Sequence, residues 1–240
     1  MDPIQAHVDP IPGLERAVVE DDIRRSNIKH NRLPNDADIQ PIENRHKGFL
    51  SRLINKYEVG GIFGVHIPHK HFDLVSDTYM VGRHETRYGR HFYWTRSTGN
   101  DALDPGNLCG HIFTYDPDEG FCPYEFHKGL LPDLSGVDRA FFTEIGSYIT
   151  KHDLGHSVAL EYLIPELRGK LMSEIVDRRQ QQTLQVEQEI VEQGLEEPVV
   201  TGWRQFESEV AFGPGTQYIY RPDGTHTTFN PDEQQFGING

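Results

Sequence analysis

Two stretches of the chain space their apolar residues three and four apart. Leu50, Leu53, Ile54 and Tyr57 do so within 46–57. Phe141, Phe142, Ile145, Tyr148 and Ile149 do so within 138–152. That spacing gathers the apolar side chains on one side of a helix. It predicts an amphipathic helix in each stretch, with Asp138 as N-cap of the second. Gly60 and Gly155 fall where each helix would stop with a residue at positive φ. After each helix the period changes to two, as in strands. In IFGVHI one face carries Phe63, Val65 and Ile67, and the other carries Ile62, Gly64 and His66. Residues 157–162 alternate in the same way: Val158, Leu160 and Tyr162 against Ser157, Ala159 and Glu161.

These two stretches align without a gap at an offset of 95 residues, INKYEVGGIFGVHI (54–67) over ITKHDLGHSVALEY (149–162). Ile54/Ile149, Lys56/Lys151 and Gly60/Gly155 are identical. Further on, Val81/Val176 and Arg83/Arg178 match. A strand with a tryptophan follows in both, HFYWTR with Trp94 and VVTGWRQF with Trp203. Then come two turn sequences, FTYDPDEGF (113–121) and YIYRPDGTH (218–226), each suited to a hairpin. The expected fold class is therefore α+β: two tandem repeats, each one helix followed by an antiparallel sheet, related by a pseudo-two-fold axis. The expected boundaries are a polar N-terminal arm over 1–45 with a short helix near 14–25, a first repeat over 46–135, a second over 136–230, and a flexible tail over 231–240. A Gln/Glu-rich insertion at 180–198 reads as a solvated helix or loop.

Composition narrows the partners. The net charge is −14 over 240 residues. So acidic a chain repels phosphate backbones and anionic membranes, so neither nucleic acid nor membrane is expected as a partner. No apolar run reaches the length of a membrane span. The first residues have neither the basic nor the apolar region of a secretory signal, which points to the cytoplasm. Two cysteines, Cys109 and Cys122, are too few for a disulfide framework and are expected as reduced thiols.

The chemistry concentrates in GVHIPHKHF, where His66, His69 and His71 stand within six residues. Imidazoles so close are candidates for a divalent transition metal. A cupin-like barrel is disfavoured, since no Glu follows His71 at that pattern's spacing and Pro68 interrupts the strand. If the two repeats meet at their first strands, His66 and Glu161 approach one another. They could act as base and orienter, or as two metal ligands. Gly64 and Ala159, small and on the same faces, would leave room for a small-molecule substrate. Arg83 and Arg178, matched in the repeats, could bind an anionic group. The bland readings stay open: close sheet packing, a structural His–Glu hydrogen bond, and surface ion pairs. No phosphate-binding glycine loop and no nucleophile elbow is present.

The runs FGVHIPHKHFDL and GHIFTYDPDEGFCPYEFHKGLLPDLSGVD resemble a family of uncharacterised fungal proteins over residues 46–165. The resemblance implies an intracellular protein and carries no activity with it. Two functional classes follow. The first is an enzyme with a pocket at the repeat interface, either a lyase, isomerase or cyclase using His66 and Glu161 or a histidine-ligated metal enzyme. The second is a binding or interaction module without cofactor, such as a homodimer.

Overall fold

The structure, a computed structural model, describes residues 9–102, 104–187, 199–205 and 212–218. The amphipathic stretches form helices close to their expected places, α2 (Asn44–Lys56) and α3 (Ala140–Lys151). The Asp138 carboxylate accepts the Ala140 backbone N–H at 2.9 Å, so it serves the first turn of α3. The stops differ from expectation. The residues at positive φ are Glu58 and Asp153, not Gly60 and Gly155. Val59 N–H bonds to the Ile54 carbonyl at 3.1 Å, and Leu154 N–H to that of Ile149 at 2.9 Å. These bonds close each helix at Val59 and Leu154, just before the glycines. A third helix, α1 (Glu20–Arg32), starts later than the expected 14–25. Residues before it are taken up in a turn, where Gly13 donates to the Arg16 carbonyl at 2.8 Å.

Among the described residues there are ten strands: β1 (Phe63–His66), β2 (Thr78–Arg87), β3 (Arg90–Gly99), β4 (Leu108–Asp116), β5 (Gly120–Lys128), β6 (Ala159–Tyr162), β7 (Met172–Asp177), β8 (Gln182–Glu187), β9 (Val199–Gln205) and β10 (Phe212–Tyr218). They close one barrel in the order β1-β6-β4-β5-β2-β3-β8-β7-β10-β9 and back to β1. This overturns the expected fold. Strands of the two sequence segments are interleaved, β6 lying between β1 and β4, and two pairings, β2 with β5 and β7 with β10, are parallel. The molecule is mostly sheet with three helices among the described residues, not a repetition of helix plus antiparallel sheet. The physical reason lies in the edges. A short half-sheet exposes unpaired backbone at both ends, and joining the strands into a ring removes them. Hydrophobic periodicity records which face a residue takes, not which strand it pairs with. Residues 182–187 form β8 rather than a solvated helix; residues 188–198 of the insertion, 219–226 of the expected turn and the tail lie outside the described residues.

The helices α2 and α3 lie on the outside of β1, β6 and β4. Leu50, Leu53, Ile54, Phe141, Phe142, Ile145 and Ile149 pack against Phe63, Val65, Leu160, Tyr162 and Phe113. Burying each such side chain is worth about 1.5–3 kcal/mol, so this layer is the main hydrophobic support of the barrel wall. α1 covers β5 and β2 through Ile23, Phe126 and Tyr79. Ile164, Leu167 and Met172 pack with Tyr93 as another apolar group. Among the described residues no helix is long and apolar enough to cross a membrane.

Candidate metal centre

The face of β1 and β6 turned away from the helices carries Gly64, His66, Ala159 and Glu161. In the antiparallel ladder Gly64 stands opposite Glu161, and His66 opposite Ala159. This face looks into the barrel. Contacts between strands far apart in the ring show that it is the lumen. Tyr93 of β3 reaches His111 of β4 at 3.3 Å, although β5 and β2 lie between them. The lumen is polar. His66, His111, Glu161, Glu174 and Arg204 are all buried within it.

Past His66, Ile67 still donates to the Thr201 carbonyl at 2.7 Å. Pro68 has no N–H to continue the ladder, and the chain folds over the barrel end. His69 and His71 are on this irregular segment. Their rings meet edge to face with centroids 4.8 Å apart, and His66 stacks on His69 at 5.5 Å and 14°. Glu174, pointing in from β7, completes a group. One ligand atom each from His69, His71 and Glu174 lies within 4.8 Å of the other two.

Each ring is held by its Nδ1. That of His69 donates to the Ile67 carbonyl at 2.8 Å. A carbonyl only accepts, so the proton sits on Nδ1 and the lone pair on Nε2. His71 Nδ1 donates to Asp36 Oδ2 at 3.0 Å, while its Nε2 faces Glu174 Oε2 at 3.2 Å. Arg178 braces this pair, donating to Asp36 at 2.6 Å and to the His71 carbonyl. Asp36 comes from the N-terminal arm, where Asp36 N–H donates to the Lys70 carbonyl at 3.1 Å and Lys70 N–H to the Pro34 carbonyl at 2.9 Å. Burial pushes His69 down to about 3, since a charge there would lose its water. Burial also works against a charge on His71, but Glu174 and Asp36 outweigh it and raise the ring to about 9. The same histidines hold Glu174 well below the usual carboxylate range against its burial.

Beside this group is a second one. Glu161 Oε1 receives Arg204 at 3.4 Å and lies 3.7 Å from His111 Nε2. Arg204 also donates to the Leu167 carbonyl at 2.9 Å. Glu125 lies 3.9 Å from His111, and burial among carboxylates pushes it up to about 8. Several buried polar atoms here lack a hydrogen-bond partner: His66 Nδ1, Glu161 Oε2 and Tyr124 Oη.

The structure thus gathers His66, His69, His71, Gly64, Ala159 and Glu161 in one region, and separates the two arginines. Arg178 is bound to Asp36, whereas Arg83 is exposed and pairs with Glu85 at 2.7 Å. The two thiols are buried and do not bond to each other. Their strands place Cys109 opposite His127 and Cys122 opposite Thr114. Burial pushes them up to about 12 and about 11, away from the thiolate form at neutral pH.

Sequence reasoning missed Glu174, Asp36 and Arg204. Glu174 had a signal: it alternates with Met172 and Val176, a charge on the buried face of a strand. Arg204 follows Trp203 on β9, on the face that Gly202 shares. Asp36, in LPNDADIQP, had none. No family model matches the chain, and no curated protein or solved structure is significantly similar to it.

Proposed function

We propose that the chain is a metal-dependent enzyme acting on a small molecule inside the barrel, with a zinc or iron(II) ion held by His69, His71 and Glu174. The observation that carries this reading is the fixing of both rings by their Nδ1, one on a backbone carbonyl and one on a carboxylate. Metal-binding histidines are oriented in this way. Two histidines and a carboxylate suit zinc, or iron(II) with positions left open for substrate. Ligand atoms about 2.1 Å from an ion lie at most about 4.2 Å apart. The 4.8 Å spread of this group therefore needs an inward shift of under an ångström per ligand. A bound ion would act as Lewis acid or redox centre. His66 and Glu161, beside it, are placed to take and return a proton.

A second reading has its own support. Without an ion, Asp36, Glu174, Arg178 and His71 form a charge-balanced network, with His71 protonated. That network would serve a binding module with no chemistry. Metal content decides between them. Untagged protein, purified without added metal and read by elemental mass spectrometry, should carry about one zinc or iron per chain. Glu174→Gln and His69→Ala should each reduce that to a small fraction. Metal-free wild type that also takes up no added zinc or iron sinks the enzyme reading in favour of the network.

A further inference from the structure

The outer face of β2 and β3 carries a feature that the metal group does not use. In HFYWTR the alternation turns Tyr93 and Thr95 into the barrel, where the Tyr93 hydroxyl meets His111 at 3.3 Å. It turns Trp94 and Arg96 the other way. Across the antiparallel ladder Arg83 of β2 stands opposite Trp94, and Val81 opposite Arg96. These four side chains therefore share the outer face. The apolar cluster under α1 takes in Tyr79 and Val81. Next to them Trp94 is partly buried, and Arg83 and Arg96 are exposed.

A cavity of about 250 Å³ opens on this face. Trp94 and Val81 give it an apolar lining. Asp104 and Asn107, from the turn before β4, line it too, with Lys128 at the end of β5. Gly129 N–H donates to the Asn107 carbonyl at 3.1 Å, which ties the end of β5 to that turn.

The charges around the cavity are out of balance. Three cations, Arg83, Arg96 and Lys128, line it with one carboxylate, Asp104. Arg83 pairs with Glu85 at 2.7 Å, but Glu85 also takes Arg87 at 2.6 Å. Arg96 and Lys128 make no ion pair among the described residues. In a chain of net charge −14, this is a local field of the opposite sign, and it draws anions to one place. A guanidinium meets a carboxylate or phosphate through its fork of N–H donors. An indole offers a flat face on which another ring stacks with offset. Both features in one cavity fit a ligand that has both a ring and a negative charge. The volume is at the small end for ligand sites, which suits one ring with its anionic group rather than a polymer.

We propose that this cavity binds a small aromatic anion, a single ring carrying a carboxylate or a phosphate. The ring lies against Trp94, and Arg96 and Lys128 hold the anionic group. The site is outside the barrel and does not depend on the metal reading.

Isothermal titration calorimetry on the full chain tests it. Benzoate and phenyl phosphate are the aromatic probes, and acetate and methyl phosphate are their ringless counterparts. Saturable binding of at least one aromatic probe is expected, about tenfold or more tighter than its ringless counterpart. Which of the two binds tighter tells carboxylate from phosphate. Arg96→Ala and Lys128→Ala, both at exposed positions, should leave the urea midpoint unchanged. Each should weaken the binding about fivefold or more. Trp94→Leu should bring the aromatic probe to within about twofold of the ringless one. Should Trp94→Leu fail to fold, Trp203→Phe leaves Trp94 as the one tryptophan of the chain, and its emission should change on saturation. No saturable binding of either aromatic probe overturns the site. So does equal affinity for ring-bearing and ringless anions in wild type, an affinity unchanged in Arg96→Ala, or a Trp94 emission that does not respond.

Discussion

The same strands show two opposite chemistries on their two faces. Toward α2 and α3, β1 and β6 present Phe63, Val65, Leu160 and Tyr162, packed in the largest apolar cluster among the described residues. Toward the lumen they present Gly64, His66, Ala159 and Glu161, beside His111, Glu174 and Arg204. Small barrels ordinarily fill their interior with apolar side chains. Here the larger apolar layer lies outside, beneath the helices, and the interior joins charged and hydrogen-bonding groups to a smaller apolar group around Tyr93 and Met172. The comparison teaches that stability and chemistry are separable in this fold, one residue apart along each strand.

Substitutions on the two faces should break that separation in different ways. The largest effect belongs outside. Phe141→Ala removes a fully buried ring between α3 and β1 and should cost about 3–5 kcal/mol, read as a lower urea midpoint. The metal stoichiometry of the folded fraction should not change. Next comes acid. Burial depresses His30, between α1 and the segment before β2, to about 4. The unfolded chain binds that proton below about 6.5, and the folded chain does not until about 4. Stability should therefore fall as pH drops through that window and level off beneath it, by up to about 3 kcal/mol. His127, also depressed to about 4, adds to the loss. His71, raised to about 9, acts oppositely: its contribution is complete below about 6.5 and fades as pH rises toward 9. Urea midpoints at pH 7 and 4.5 should differ less in His30→Phe than in wild type. An equal acid loss in both would refute the assignment to His30.

A smaller effect is expected inside. At Gly82 an added Cβ would lie 2.0 Å from the Tyr93 hydroxyl. Gly82→Ala should cost about 1–3 kcal/mol by displacing that ring. It should also loosen the Tyr93–His111 contact, seen as a shift of the His111 ring signals in NMR. The smallest effect is at Arg83, half exposed and paired with Glu85 at the surface. Arg83→Ala should leave both the denaturation midpoint and the metal content unchanged. A change in metal content would show that Arg83 supports the metal group despite its place at the surface.

Much of the wall was readable in the sequence and little of its closure. Helical spacing located α2 and α3, and the Asp-Pro-Asp-Glu-Gly turn located the β4–β5 hairpin, because these signals are local. The pairing of β1 with β9, or of β3 with β8, depends on residues far apart in the chain, such as Val65 with Trp203 and Phe92 with Val186, and alternation carries no mark of a partner. The site divides the same way. Three clustered histidines announce themselves, and small residues beside His66 and Glu161 hint at space. Glu174 could have been noticed as a charge among apolar neighbours. Asp36 could not, since nothing in a polar, proline-dotted arm distinguishes the one carboxylate that reaches His71. The glycine stops misled because Glu58 and Asp153 tolerate the left-handed conformation at modest cost in a turn.

Ring closure also has a consequence in time. His71 and Glu174 are 103 positions apart in the chain, and the ring is sealed only when Val65 of β1 meets Trp203 of β9. Contacts of such long range are made late and slowly in folding. A chain emerging from synthesis holds His66, His69 and His71 long before it holds their acidic partner. An ion captured by the finished group would thus act as a clock for the last event of folding, and its uptake rate would measure how fast this barrel shuts.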